Sequence, residues 1–334
     1  MSKERKITSC IVVLLLLLAL IYGSKKLERV SRFDESILPE FYNLELQTVN
    51  VFVEGMEDEK YFLFMTDNQA NFDSREELGW FGLSSNRCFT DEEGISSSVN
   101  LQNWFDYAND SNVDAFLLGG DVIDFGSEEN IKAIDELLEG LEVPYLYTYG
   151  NHDSYIPWKH EFADTEIEQW FKGNDSDFQY MDMGDFGIVS IRNYQLDGTA
   201  QVTEHALECF EEVYAYGKPI ILMCHVPLCT EESNDLKEMA INTQGDVFVE
   251  YEAGDFGQVS KSVLMGEDCG YELTEASKRF LELVTAEESP VPVVLSGHLH
   301  EAWQGKLSEN VVQYVGDAAF ENKGLFVRVS GERL

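Results

Sequence analysis

The sequence predicts an α/β fold in which buried strands alternate with helices. Apolar runs recur along the chain and stop abruptly at Gly, Asp, Asn or His, and stretches of helical periodicity separate several of them. Near-continuous apolar runs are typical of strands that are buried on both faces. Ligands of such sheets bind beyond the carboxyl ends of the strands, so the polar clusters after the runs are the candidate functional residues.

The first segment along the chain is a candidate membrane anchor. Residues 7–22 are almost wholly apolar and are flanked by Lys and Arg. As a helix they would reach about 24 Å, short of the ~30 Å hydrocarbon core unless the flanking lysines snorkel. We predict an uncleaved N-terminal membrane helix within residues 1–24, followed by a juxtamembrane segment over residues 25–43.

The alternative is a cleaved signal peptide and a secreted protein, although no small-x-small cleavage pattern comes after the apolar run. Basic residues lie on both sides of the segment, so the positive-inside rule does not decide the orientation. An N-terminal segment of this kind usually directs export of the downstream chain. We therefore expect the body to be extracellular.

Five apolar runs are predicted to be strands, and each leads into a polar cluster. They cover residues 61–65, 115–118, 143–149, 220–224 and 291–295. Three amphipathic helices are predicted between them, because apolar residues recur three and four positions apart. Ser127 and Thr274 are placed to cap two of these helices. The apolar faces comprise Leu101, Trp104, Phe105 and Ala108; Ile131, Ile134, Leu137, Leu138 and Leu141; and Phe280, Leu281 and Val284.

The charge of the chain excludes one class of partner. There are 62 acidic and 23 basic residues, a net charge of −39. Neutralising nucleic-acid phosphates requires a Lys/Arg surface, and a field of this sign repels a polyanion. We expect no nucleic-acid partner, and no feature of the sequence indicates a protein partner.

The polar clusters supply ligands suited to a pair of divalent cations. Two cations only about 4 Å apart repel each other strongly and need several carboxylate, amide or imidazole ligands. The candidates are Asp67, Asp121, Asn151, His225, His298 and His300. The chain has only six histidines, and the clusters contain four of them, the three just named and His152.

In this order and spacing the clusters resemble the motifs of the calcineurin-like metallophosphoesterase superfamily. The resemblance covers roughly residues 60–320. The matching segments are Asp67-Asn68-Gln69, Gly120-Asp121-Val122-Ile123-Asp124, Gly150-Asn151-His152-Asp153, His225 and Gly297-His298-Leu299-His300. Gln69 stands where the family often has His, a D-x-Q variant of the first motif that is also met in bacterial members.

The resemblance implies a four-layer α/β/β/α sandwich over residues 44–334. We interpret the acidic, Gly-containing segment 230–272 as an insertion or lid. The resemblance also implies two metal-ligand sets that share Asp121 as a bridge. Asp67, Gln69 and His300 complete the first set, and Asn151, His225 and His298 complete the second.

The implied chemistry is phosphate ester hydrolysis. His152, oriented by Asp124, would lie beside the phosphate as general acid or electrostatic stabiliser. The metals would lower the pKa of water, so that hydroxide is available near neutral pH and attacks phosphorus in line. An amide oxygen at Gln69 favours Mn or Fe, with Mg or Zn as alternatives. The substrate would be a small phosphomonoester or phosphodiester, and the sequence does not choose between them.

A second class of function stays open at this point. A non-catalytic cell-surface binding module could keep the fold and a weakened metal site, and Gln69 favours this alternative. The otherwise complete ligand set, together with His152 and Asp124, argues against it.

Overall fold

The computed structural model describes residues 33–75, 87–156, 161–162, 175–240, 263–267, 269 and 271–332. The predicted membrane segment, residues 1–24, lies outside these residues. Within the described ranges, no helix combines the length and apolar character needed to cross a bilayer.

The strands are numbered in chain order. They are β1 (Glu45–Phe52), β2 (Lys60–Met65), β3 (Ala115–Leu118), β4 (Tyr145–Tyr147), β5 (Tyr155–Ile156), β6 (Glu161–Phe162), β7 (Phe178–Asp182), β8 (Gly187–Ile191), β9 (Ile220–Met223), β10 (Leu228–Cys229), β11 (Met265–Gly266), β12 (Val293–Ser296), β13 (Trp303–Lys306), β14 (Val312–Val315) and β15 (Lys323–Ser330). The helices that pack on the large sheets are α1 (Ser97–Ser111), α2 (Glu128–Glu139), α3 (Glu204–Tyr214) and α4 (Glu275–Thr285). Short 3₁₀ helices cover Pro39–Tyr42, Glu231–Ser233 and Ala319–Glu321.

Two large sheets organise the described chain. The first has five strands in the order β1-β15-β2-β3-β4, and the second has six in the order β13-β14-β12-β9-β8-β7. β2, β3 and β4 run parallel in the first sheet, as do β8, β9, β12 and β14 in the second. Because carboxyl ends of parallel strands lie at one edge of a sheet, the clusters after β2, β3 and β4 are brought together, as are those after β9 and β12.

Side-chain alternation along the strands produces three apolar layers. Phe62 and Phe64 of β2 pack between the two sheets, against residues such as Ile221 of β9. Their neighbour Leu63 points the other way and packs under α1 and α2. The outer face of the second sheet packs against α3 and α4, with Phe210 and Phe280 in contact at a centroid distance of 5.0 Å. The order of layers is helices, sheet, sheet, helices, a mixed α/β fold built around the period-two alternation of buried strands.

The predicted helices and caps are confirmed, with small differences at their ends. The Ser127 side chain accepts a hydrogen bond from the Asn130 N–H, and that of Thr274 accepts one from the Ser277 N–H. α2 ends at Glu139, so Leu141 lies just beyond it and is half-buried.

One predicted strand is shorter than expected. Of residues 143–149, only Tyr145–Tyr147 forms strand β4. Pro144 has no N–H to donate to the ladder, and its carbonyl instead accepts from the Phe116 N–H at 2.8 Å.

The segment interpreted as an insertion or lid is described only at its two flanks. β10 and β11 pair in parallel, and Leu236 and Leu264 are buried beside them. Residues 241–262 lie outside the described residues, so the role of this segment stays a prediction.

Candidate metal centre

Backbone hydrogen bonds hold the polar clusters against one another. The Asp67 N–H donates to the Gly120 carbonyl at 3.0 Å and the Gln69 N–H to the Asp121 carbonyl at 2.8 Å, so the first two clusters run side by side. Nδ1 of His225 donates to the Gly119 carbonyl at 2.9 Å, which joins the second sheet to the first. The clusters from the two sheets therefore meet at one place.

Five of the candidate ligands have a left-handed backbone. The φ angles are 56° at Asp67, 50° at Gln69, 52° at Asp121, 73° at His298 and 59° at His300. Among the described residues, the other non-glycine positions with positive φ are Asn43, Asn112 and Asn322. These three cap helices, where Asn is common. A left-handed backbone costs other residues on the order of 1 kcal/mol or more, so strain is concentrated at the predicted ligands, as is common at functional sites.

The first predicted ligand set surrounds one oxygen of Asp67. Its Oδ2 accepts hydrogen bonds from Thr66 Oγ1 at 2.7 Å and from the His298 N–H at 2.8 Å. Its Oδ1 lies 3.5 Å from Nε2 of His300, and Nε2 of Gln69 donates to the same His300 nitrogen at 2.9 Å. The structure thus brings Asp67, Gln69 and His300 together.

The second predicted ligand set surrounds Nε2 of His225. This atom lies 3.2 Å from Asp121 Oδ2 and 3.2 Å from Asn151 Oδ1. Ligand atoms of Asp121, His225 and His298 all lie within 4.8 Å of one another. The His225 nitrogen is also 4.0 Å from Asp67 Oδ1, so the two sets are adjacent and Asp121 lies where a shared ligand is expected.

The donor atoms fit a pair of divalent cations. Asp67 Oδ1, Gln69 Oε1 and Asp121 Oδ2 are buried and accept no hydrogen bond from the described residues, although an imidazole lies near each carboxylate oxygen. A buried polar atom without a partner costs about 1–3 kcal/mol, and more when it is charged. Cations bound to these oxygens and to the neighbouring imidazoles would provide the missing partners.

The electrostatics of the second set also suit metal binding. Burial opposes ionisation of Asp121, but the neighbouring His225 and His152 hold its pKa below its usual range. Burial and the proximity of His225 lower the pKa of His298 to about 3, so its imidazole is neutral, as a ligand must be. Burial alone would lower the pKa of His225, but Asp121 outweighs it and raises the pKa to about 9. Metal binding at His225 therefore displaces a proton and strengthens as pH rises.

His152 lies beside the ligand sets and is held from two sides. Its Nδ1 donates to Asp124 Oδ1 at 2.9 Å, and its backbone N–H donates to Asp121 Oδ1 at 2.7 Å. The bond to Asp124 leaves Nε2 as the ring nitrogen available to a ligand. The His152 side chain is 30% exposed, so a substrate can reach it.

Asp153 is a site residue to which sequence reasoning assigned no role. It is fully buried, and its carboxylate accepts N–H bonds from Asp121 at 2.8 Å, Gly150 at 2.9 Å and Ile123 at 3.2 Å. Burial and the nearby Asp121 raise its pKa to about 7. Asp153 thus ties the second and third clusters together, and its place at the end of the Gly150–Asp153 motif was the available signal.

Three glycines in the motifs are required by close approach of other side chains. A Cβ on Gly150 would lie 2.0 Å from Asp121 Oδ1, and one on Gly297 would lie 1.9 Å from Thr66 Oγ1. A Cβ on Gly120 would lie 2.6 Å from His225 Nδ1. The motif glycines therefore allow the clusters to pack at ligand distances.

Two aromatic residues beside the site carried no sequence motif. The ring centroid of Phe89 lies 6.2 Å from that of His152 and 6.4 Å from that of His300. Phe320 lies 5.4 Å from both Phe89 and His300. The two half-buried rings form an apolar wall beside the candidate metal centre.

Comparison with known families identifies the family of the chain. The sequence model of the calcineurin-like phosphoesterase family matches residues 61–302. The chain belongs to the calcineurin-like phosphoesterase family, as the motifs predicted. Members of this family use a dinuclear divalent metal centre, and the chain is a metal-dependent phosphoester hydrolase.

The solved structures that align with the chain include the following two. A dimetal phosphatase from Danio rerio is 12% identical, with 78% of this chain and 88% of that chain covered and a TM-score of 0.45. A protein from Staphylococcus aureus described as a putative 5′-nucleotidase, solved with alpha-ketoglutarate, is 11% identical, with 78% of this chain and 49% of that chain covered and a TM-score of 0.36. None of the curated protein sequences compared with the chain matches it.

Proposed function

We propose that the chain hydrolyses phosphate esters of small molecules at two divalent cations bound by the clustered side chains. One observation carries the proposal. Three buried oxygens lie beside the histidine cluster, at two neighbouring strand ends, and have no hydrogen-bond partner in the described part of the chain. They are Asp67 Oδ1, Gln69 Oε1 and Asp121 Oδ2. A non-catalytic module with a metal site would also use these oxygens, but it would have no need of His152 held by Asp124 beside them.

In this proposal Asp121 is the shared ligand. Asp67, Gln69 and His300 bind one cation, and Asn151, His225 and His298 bind the other. When bound, the cations lower the pKa of water and neutralise charge on the phosphoryl oxygens. Mn or Fe is favoured because Gln69 offers a hard, neutral oxygen, with Mg and Zn as alternatives.

The remaining side chains orient the substrate and transfer protons. Asp124 keeps His152 in one orientation and stabilises its protonated form, which lets Nε2 donate a hydrogen bond or a proton to a phosphoryl or leaving-group oxygen. Phe89 and Phe320 cover one side of the site and are placed to contact the organic part of the ester.

The size of the substrate is inferred from charge. At a net charge of −39 the protein repels long polyanions, so we propose small phosphomonoesters or phosphodiesters as substrates.

Hydrolysis of mono- and bis-nitrophenyl phosphate by the metal-reconstituted protein tests both the activity and the ester type. We expect turnover with Mn²⁺ that stops on chelation and returns when Mn²⁺ is restored. Silence with every divalent metal would favour the binding module instead.

Gln69→His should tighten binding of the first cation. An imidazole nitrogen is a stronger ligand than a neutral amide oxygen, and Gln69 lies next to His300 in the first set. Titration calorimetry of the variant and the parent protein with Mn²⁺ and Zn²⁺ measures the effect, which we expect to be larger for Zn²⁺. Unchanged stoichiometry and affinity would contradict the assignment of Gln69 as a ligand.

We also propose that residues 1–24 anchor the protein in a membrane with the body outside the cell. This proposal rests on the apolar run at residues 7–22 and its basic flanks. Protease added to intact cells should then digest the body. Protection of the body on intact cells, with digestion after lysis, would reverse the orientation.

A further inference from the structure

A second cluster of metal-binding side chains lies at the start of α3, on elements that do not supply the candidate dinuclear centre. We propose that Asp175, His205 and Cys209 bind a single soft divalent cation of the Zn²⁺ class. One ligand atom from each residue lies within 4.8 Å of the other two. The three residues offer a carboxylate oxygen, an imidazole nitrogen and a thiol sulfur.

Local structure places these side chains together. His205 and Cys209 are four residues apart on α3 and so share one face of the helix. Thr203, the N-cap of α3, donates through Oγ1 to Asp177 Oδ2 at 2.9 Å, which brings the segment before β7 to the start of the helix. The Asp177 N–H donates to Asp175 Oδ1 at 2.9 Å, so Oδ2 of Asp175 is directed to His205.

The distance between the sulfur and nitrogen donors is close to that of a zinc site. Cys209 Sγ lies 3.9 Å from both ring nitrogens of His205, and His205 Nε2 is hydrogen-bonded to Asp175 Oδ2. Tetrahedral zinc, with Zn–S of about 2.3 Å and Zn–N of about 2.0 Å, places its sulfur and nitrogen donors about 3.5 Å apart. A bound cation would replace the hydrogen bond between Asp175 and His205, whose side chains are exposed at the surface. Three protein donors would leave a fourth position for water.

The charge around the cluster decides between two kinds of chemistry. An Asp-His-Cys arrangement could also activate a thiol as a nucleophile, which requires a lowered thiol pKa. Here the acidic residues Asp175, Glu208 and Glu212 lie around Cys209, and their negative charge opposes a bare thiolate. The same negative field attracts a cation, and a bound cation deprotonates a coordinating thiol. The surroundings therefore favour metal binding over nucleophilic catalysis.

The sulfur ligand distinguishes this site from the candidate dinuclear centre, whose predicted ligands include no cysteine. Titration of the full-length, metal-stripped protein with Co²⁺ should produce a thiolate-to-cobalt charge-transfer band in the near ultraviolet. Its final amplitude should correspond to one thiolate-bound cobalt per chain, because cobalt at the dinuclear centre gives no such band. Cys209→Ser should abolish the band and lower the bound Zn²⁺ by one per chain. Cys88→Ser, which removes an exposed thiol elsewhere, is the matched control and should keep both.

His205→Gln provides a second variant that should fold, because the His205 side chain is 57% exposed. We expect this variant to lower the affinity for Co²⁺, measured from the growth of the thiolate band, by at least about tenfold. The proposal is overturned if the parent protein shows no thiolate band, or if the band keeps its amplitude in Cys209→Ser or its affinity in His205→Gln. Phosphatase activity is not needed for any of these readouts.

Discussion

Asp121→Ala is expected to abolish both turnover and metal binding, whereas His152→Ala is expected to abolish turnover alone. In our assignment Asp121 belongs to the second ligand set through Oδ2, which lies 3.2 Å from His225 Nε2, and it lies beside the first set. Removing its carboxylate takes away the group placed to neutralise both cations at once. Metal content by atomic spectroscopy and turnover of a nitrophenyl ester measure the two effects.

His152→Ala removes an imidazole that binds no cation in our assignment. Loss of a positioned general acid or charge stabiliser lowers turnover by about 10²–10⁴-fold, so almost no activity should remain. The His152 N–H that donates to Asp121 is a backbone group, so the variant keeps this contact and its metal.

Asp114→Ala is the matched control for Asp121. It changes an aspartate just before β3, at the opposite end of the strand from Asp121, where it pairs with Lys60 at 3.0 Å. This variant should keep its metal and its activity. Normal metal content in Asp121→Ala would refute the bridging assignment, and loss of metal in His152→Ala would refute the division of roles.

Gly150→Ala should disrupt the site without removing any functional side chain. The added Cβ would lie 2.0 Å from Asp121 Oδ1 and 2.3 Å from the Asp121 backbone nitrogen. Rotation of the Asp121 side chain cannot relieve the second contact, so one of the two loops must move. We expect the free energy of unfolding to fall by about 1–3 kcal/mol or more, as for other overpacked cores. Turnover and metal affinity should fall with it, because the displaced loop carries Asn151 and His152.

Gly140→Ala provides the control for this change. Gly140 caps α2 with φ −81°, and its nearest contact to an added Cβ is the Leu137 carbonyl oxygen at an ordinary 3.5 Å. It should be neutral or stabilise by about 0.4–1 kcal/mol through reduced entropy of the unfolded chain. Urea denaturation compares the two variants. Equal stability and activity of Gly150→Ala and the parent protein would show that the loops are not packed as described.

Elements with a strong local pattern were predictable from the sequence. Apolar runs identified β2, β3, β9 and β12 almost to the residue, and the caps at Ser127 and Thr274 depend on short-range hydrogen bonding. β1 and β15 were not predicted. They pair with each other although residues 45–52 and 323–330 lie far apart in the chain, and the burial of side chains along β1 does not alternate regularly. Pairing at this separation depends on the whole fold rather than on a local pattern.

The sequence by itself determined the family and the candidate ligands, because each ligand lies directly after a buried strand in a short motif. Only the tertiary structure decided how these ligands are held. The tertiary structure showed the left-handed backbones of Asp67, Asp121 and His298. It also showed contacts between residues that are distant in the chain: the N–H bond from Asp121 to Asp153, and the aromatic wall of Phe89 and Phe320. Their physical reason is packing: the edges of two sheets press loops together so closely that glycines are required and buried oxygens are left for cations to bind.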